Sequence, residues 1–295
     1  MAKGMAFGHL ANVFDQAYLE SETDLENNVY VLGAYDQVLT QSIDALDEAI
    51  SIFNSGISYT PPSNTFNGQV YTEAQLAAFS NTLAAHYIVS NSRNATQNAA
   101  IDWAQVRSYA QNGSDEDLVV TDDGQVFSHD FFCLTGLFWY FRIDHRVLRH
   151  FNPTYPKRFS TETDAVIAES VLTGDGYNGD QRLDAYFEYS ADLSFFRLER
   201  GPQLRTHYYQ DQFETFFTED NCIGPVSYMK GYMNDLLLAE AENELGNTNV
   251  AIGILNDATN PRTAVGSLPN IDGSATQAEV RALIFADRDI ELGRS

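Results

Sequence analysis

Cysteine, lysine and tryptophan are all scarce in this chain. Its 295 residues include 2 Cys and 2 Trp, and the only lysines are Lys3, Lys157 and Lys230. Cys133 and Cys222 form neither a CxxC pair nor a cluster with histidine at zinc-ligand spacing, so nothing points to a zinc module. The pair is compatible with one disulfide or with two buried thiols. A chain of this length buries a substantial core without either kind of staple. Positive charge is short as well: 17 basic residues face 41 acidic ones, a net charge of -24. Such a field repels phosphate backbones and argues against a nucleic-acid partner. Long apolar runs are missing too. The longest, Phe131 to Phe141, falls well short of the ~20 residues of a membrane helix. Met1 to Met5 opens no signal-peptide core, and the chain by itself is expected to be soluble.

Motifs of catalysis are equally thin. There is no GxSxG and no P-loop. Ser227-Tyr-Met-Lys230 matches a bare SxxK but lacks the partner motifs that give it meaning. His145 and His150 come without the glutamate of HExxH, and suit a polar face beside Arg146 and Arg149. With so many carboxylates, acidic pairs arise by chance, so no acid/base couple is assigned. The loop Gly174 to Asp180 places Tyr177 and Gly179 where an EF-hand needs oxygen ligands. We therefore expect no enzyme activity and no cofactor; a calcium site of another kind stays open.

What the chain has is helical periodicity and aromatic rings. Phe7, Leu10, Phe14 and Ala17 mark one apolar helix face between Met5 and Tyr18. Leu39, Ile43, Leu46, Ile50 and Phe53 mark a second helix, which ends at Asn54-Ser55-Gly56. Thr72 and Gln75 form a capping box ahead of Leu76, Phe79, Leu83 and Tyr87. Trp103, Val106 and Ala110 close this N-terminal helical part, residues 1–113. Between 114 and 225 the pattern becomes irregular, and this segment reads as an aromatic-rich insertion of the kind that carries binding surfaces. It includes a hairpin expected around the Asp122-Asp123-Gly124 turn. Helices return over 226–295, first around Tyr232, Leu236 and Ala239, then Val250, Ile254 and Leu255, and finally Val280, Ile284 and Ile290. Gly246, Ala251 and Ala258 are spaced like the second half of a tetratricopeptide unit, where small residues let paired helices approach closely. Ala251 and Ala258 are expected to be buried.

An ordered set of motifs along the chain resembles the SusD/RagB family of nutrient-binding outer-membrane lipoproteins of Bacteroidetes-type bacteria. Asp235-Leu-Leu-Leu-Ala-Glu-Ala-Glu-Asn-Glu-Leu-Gly-Asn247 looks like that family's LIYAEALNRLGN helix. Ala251-Ile-Gly-Ile-Leu-Asn256 follows as its A…LN segment. Ala286-Asp-Arg-Asp-Ile-Glu-Leu292 is similar to its ERxIEL helix, with Asp287 in place of Glu. Gly179-Asp-Gln-Arg-Leu183 resembles its DPRL segment, with Gln181 in place of Pro. Ala99 to Gly113 and Arg142 to Pro156 fit in order.

The resemblance implies a mainly α, SusD-like fold. In it, tetratricopeptide-type helix pairs support a loop-rich aromatic insertion with a minor β-hairpin, the whole of 1–295 forming one domain. It implies no catalysis. It implies capture of oligosaccharide, or in some members peptide, at the cell surface and delivery to a SusC-like TonB-dependent transporter. The leader and lipid-acceptor cysteine of full-length members are not in this chain, so the outer-membrane anchor and further C-terminal sequence are expected outside it. The alternative reading is a tetratricopeptide-type scaffold for protein–protein interaction. Ligand residues differ among family members and are chosen here from local physics. Tyr177 sits between flexible glycines. Tyr208 and Tyr209 are adjacent, so one is expected to face out. Arg205 offers hydrogen bonds to hydroxyls, and Trp139 has the broadest stacking face.

Overall fold

The computed structural model describes residues 1–19, 26–27, 30–58, 61–62, 65–127, 142–157, 169–192, 205–212 and 221–292. Twelve helices and seven short strands are formed among them. The architecture is mainly α, with small sheets. The chain divides into two compact units, each assembled from separated stretches of sequence.

The first unit comprises residues 1–65, 70–118 and 229–251. Helix α1 (Ala2–Val13) lies on α2 (Tyr35–Phe53), and α3 (Glu73–Ser90) packs against both. The contact face of α1 is made of absent side chains. Gly4, Gly8 and Ala11 are its buried residues. A Cβ on Gly4 would come within 2.5 Å of the Leu46 side chain, and one on Gly8 within 2.4 Å of the Tyr87 ring. The close approach lets Ser42 Oγ donate to the Gly4 carbonyl at 2.6 Å. Helix α3 is buried nearly all round, from Leu76 to Val89, as befits a central helix. Its start carries the expected capping box of Thr72 and Gln75. Beyond α3 come α4 (Ala95–Ala99) and α5 (Trp103–Gln111), and the later helix α9 (Tyr232–Glu244) returns to pack on α5. Asn234 of α9 donates to the Ala110 carbonyl and accepts from Thr82.

The apolar face expected between Met5 and Tyr18 is corrected by the structure. The helix stops at Val13, and Gln16–Leu19 instead forms strand β1, paired antiparallel with β2 (Val31–Ala34). Phe7, Leu10, Phe14 and Ala17 do share one side, but they line an open cleft rather than the core.

The second unit comprises residues 66–69, 119–228 and 252–295. Strand β3 (Leu118–Asp122) runs into the expected turn, where the Asp123 carboxylate accepts from the N–H groups of Gln125, Val126 and Phe127. The turn forms but the hairpin expected there is corrected: among the described residues the partner of β3 is the distant β7 (Gly224–Met229), and residues 125–127 form no strand. The stretch read as irregular contains a three-stranded antiparallel sheet. Strand β6 (Arg205–Gln210) is central there, between β4 (Arg142–Asp144) and β5 (Phe187–Tyr189). Helices α6 (His145–Phe151), α7 (Ser170–Thr173) and α8 (Arg182–Tyr186) accompany it. Leu148, Phe151, Tyr155, Leu183, Phe187 and Tyr208 form the core, with Ile290 of the last helix.

Helix α10 (Thr248–Leu255) follows the Gly246 turn, where φ is +83°, a value glycine adopts without strain. Ala251 is fully buried as expected, whereas Ala258 lies beyond the helix end and is exposed. Helices α11 (Pro261–Ala264) and α12 (Gln277–Glu291) complete the chain.

Candidate functional site

Three of the rings chosen from the sequence as ligand platforms, Tyr177, Tyr208 and Tyr209, turn out to support the second unit. Tyr208 and Tyr209 are 3% and 6% exposed, so the expectation that one of them faces out is corrected. Alternation does send them to opposite faces of β6, but this is the central strand and both faces are covered. Tyr208 packs edge-on against Tyr189. Tyr209 donates its hydroxyl to the Glu188 carboxylate and lies beside the Arg142 guanidinium. Burial pushes the Tyr208 phenol well above its ordinary range. Tyr177 is half-buried: its ring packs on the core, and its hydroxyl donates to the Asp180 carbonyl at 2.7 Å. That contact braces the turn between Gly176 and Gly179, both at positive φ. Trp139 and the Arg205 side chain lie outside the described residues, as do the ring clusters Phe138–Phe141, Phe195–Phe196 and Phe213–Phe217.

Two of the sequence motifs meet in a buried ion cluster. Arg182, 1% exposed, donates Nε to Asp180 at 3.0 Å and Nη2 to the same carboxylate at 2.6 Å. Its Nη1 reaches Glu291 at 3.1 Å, and its Nη2 lies 2.9 Å from Asp287. Burial raises the carboxyl groups of Asp287 and Glu291 above their ordinary range, against the pull of the guanidinium. Burial alone would weaken the arginine's hold on its proton, but Asp180, Asp287 and Glu291 outweigh it. The cluster ties the Asp180 loop to helix α12. With every member buried, it presents nothing to a ligand.

The cleft in the first unit is the opposite case. It has a volume of about 440 Å³ and is walled by Phe7, Leu10, Phe14, Gln16, Tyr18 and Leu32. Phe14, Tyr18, Leu32 and neighbouring Tyr30 are 53%, 53%, 54% and 57% exposed. Tyr18 and Tyr30 meet edge to face, with centroids 5.8 Å apart. The turn that shapes the cleft is fixed from behind. Arg93 donates to the carbonyls of Ala11 at 3.0 Å and Phe14 at 2.6 Å, groups that a helix end leaves without intrahelical partners. It also pairs with Asp15 and stacks on the Tyr35 ring at 4.1 Å. Asn91 supports the same Ala11 carbonyl. The Tyr35 N–H closes the ribbon by donating to the Asp15 carbonyl.

These residues were missed because Phe14 and Ala17 were read as helix and Tyr30 carried no periodic signal. The available clue was local: the polar pair Asp15-Gln16 interrupts the helical stripe. Among the described residues, no group of three or more His, Cys, Asp or Glu could hold a metal ion, and no helix is long and apolar enough to cross a membrane.

At the level of sequence, no family model and no curated protein matches the chain. Solved structures do match its fold. A SusD-like carbohydrate-binding protein from Bacteroides vulgatus superimposes with a TM-score of 0.57 at 16% identity, covering 99% of this chain and 58% of its own. A SusD-like protein from Bacteroides fragilis gives 0.60 at 14% identity, covering 99% and 64%. A SusD-like carbohydrate-binding protein, also from Bacteroides fragilis, gives 0.57 at 13%, covering 98% and 62%. The chain thus spans about three-fifths of the length of the structures it resembles.

Proposed function

The fold is SusD-like, and from it we propose that this chain is the capturing part of a non-catalytic glycan-uptake protein. It binds oligosaccharide at the cell surface and passes it to a SusC-like TonB-dependent transporter in the outer membrane. The likeness of 98–99% of the chain to carbohydrate-binding structures is the observation that carries this reading. The full-length protein is held to the membrane by a lipid anchor, and binding needs no cofactor. The net charge of -24 fits a partner that is neither nucleic acid nor anionic lipid.

The first test is calorimetric titration with neutral hexasaccharides (malto-, cello-, xylo- and manno-series), with and without EDTA. Saturable binding of at least one, unchanged by EDTA, is expected. Indifference to all of them, with tight capture of a protein instead, would favour the tetratricopeptide-type scaffold. Affinity purification of the full-length lipoprotein from its native membrane tests the second half. A TonB-dependent receptor should accompany it, and repeated isolation alone would remove the transporter from the proposal.

A further inference from the structure

We infer that the cleft walled by Phe14 and Tyr18, with Tyr30 packed beside Tyr18, is a subsite for an uncharged sugar ring, an assignment that rests on the glycan reading above. Single exposed apolar residues are ordinary on any protein, but a contiguous patch walling a concavity marks a binding surface. Here the patch joins the open side of α1 to the β1–β2 ribbon, and its volume of about 440 Å³ lies within the ~300–1,000 Å³ range of small-molecule sites. Its rings are held rather than loose. The edge-to-face pairing of Tyr18 with Tyr30 leaves ring surface open on a fixed scaffold.

The chemistry of the walls selects the occupant. Among the described residues no charged side chain lines the cleft, and the polar groups of that lining are the Gln16 amide and the Tyr18 hydroxyl. The charges nearest the turn, Asp15 and Arg93, are paired with each other. A ligand carrying carboxylate or sulfate would find no counter-charge in the described lining and would approach a chain of net charge -24. A pyranose offers what the cleft lacks and needs: an apolar face to stack on rings, and hydroxyls for an amide and phenols at the edge. The stripe of Phe7, Leu10 and Phe14 lines the cleft and forms the floor on which such a face rests.

The experiment compares the neutral hexasaccharides with hexagalacturonate on the unaltered chain, Tyr18→Ala, Tyr30→Ala and Leu32→Glu. All three side chains are more than about half exposed, so melting temperatures should stay near that of the parent. The Tyr substitutions should each weaken neutral-glycan binding by about tenfold. Leu32→Glu, which removes no ring but places a charge in the cleft, should weaken it as well. Hexagalacturonate should bind at least about tenfold more weakly than the preferred neutral sugar. Neutral-glycan binding that survives all three substitutions, or disappears with Tyr177→Ala instead, overturns this site while leaving glycan capture intact. Preference for hexagalacturonate overturns the uncharged class. Failure to bind any sugar sinks the glycan reading and this subsite with it.

Discussion

Arg182 concentrates the consequences of a single side chain. Its guanidinium is the hub for Asp180, Asp287 and Glu291, all buried. Arg182→Leu keeps most of the volume but strands three carboxylates, and such a loss of one partner typically costs about 3–5 kcal/mol. The pH dependence has a definite sign. Burial already holds Asp287 and Glu291 above their ordinary range, so the folded state keeps protons that the unfolded chain has released. Stability from these two groups is therefore lost as pH rises above the unfolded carboxylate range. Removing the guanidinium raises both groups further. In urea unfolding, the penalty of Arg182→Leu should be smaller at about pH 5 than at about pH 8. An equal penalty at both values would show that the stranded carboxylates are hydrated rather than buried. The sequence placed both motifs in order but could not show that Arg182 and Glu291 touch, because the contact spans more than a hundred residues and leaves no local pattern.

Among the elements, side chains that pack in a regular stripe were legible and the positions that pack by being empty were not. Val280, Ile284 and Ile290 of α12 face inward at helical spacing as expected. Of the stripe expected for α2, only Leu46 is fully buried; Leu39, Ile43, Ile50 and Phe53 are half-buried beside an inward face of Val38, Ser42, Leu46 and Ala49. Helix α1 inverts that logic. Its visible stripe lines the cleft, and its buried face is Gly4, Gly8 and Ala11, which hydrophobic periodicity records as blanks. The same blindness hid β6, whose adjacent Tyr208 and Tyr209 are both buried because both faces of the strand are covered, Tyr208 lying in the core and Tyr209 against Glu188 and Arg142. The α1 contact makes a direct test. In Gly8→Ala the new methyl would sit 2.4 Å from the Tyr87 ring, and overpacking of this kind costs roughly 1–3 kcal/mol. The melting temperature should fall although alanine is the better helix former. A rise would mean that α1 is not clasped against α3 as described.

On the scale of the whole molecule, one covalent link was left open by the sequence and is present in the structure: Cys222 is disulfide-bonded, and the chain has one other cysteine. Spacing alone could not distinguish a bond from two buried thiols. Reduction should destabilise the chain by about 2–5 kcal/mol, seen as a lower urea midpoint in dithiothreitol. An unchanged midpoint would show that the link contributes nothing to the folded state. The helical class, the cap at Thr72 and the glycine turn at Gly246 were legible because each is written in a few adjacent residues. The division into units was not, because residues 229–251 belong with the first helices and 252–295 with the middle of the chain.

That interleaving sets an order of events during synthesis. Residues 1–118 leave the ribosome with α5 lacking the helix that covers it, and α9 is made only after the intervening stretch. At ~5–20 residues per second the delay is roughly ten seconds. For that interval the faces of Ala110 and Thr82 that later receive Asn234 stand open, and the nascent first unit depends on whatever shelters them.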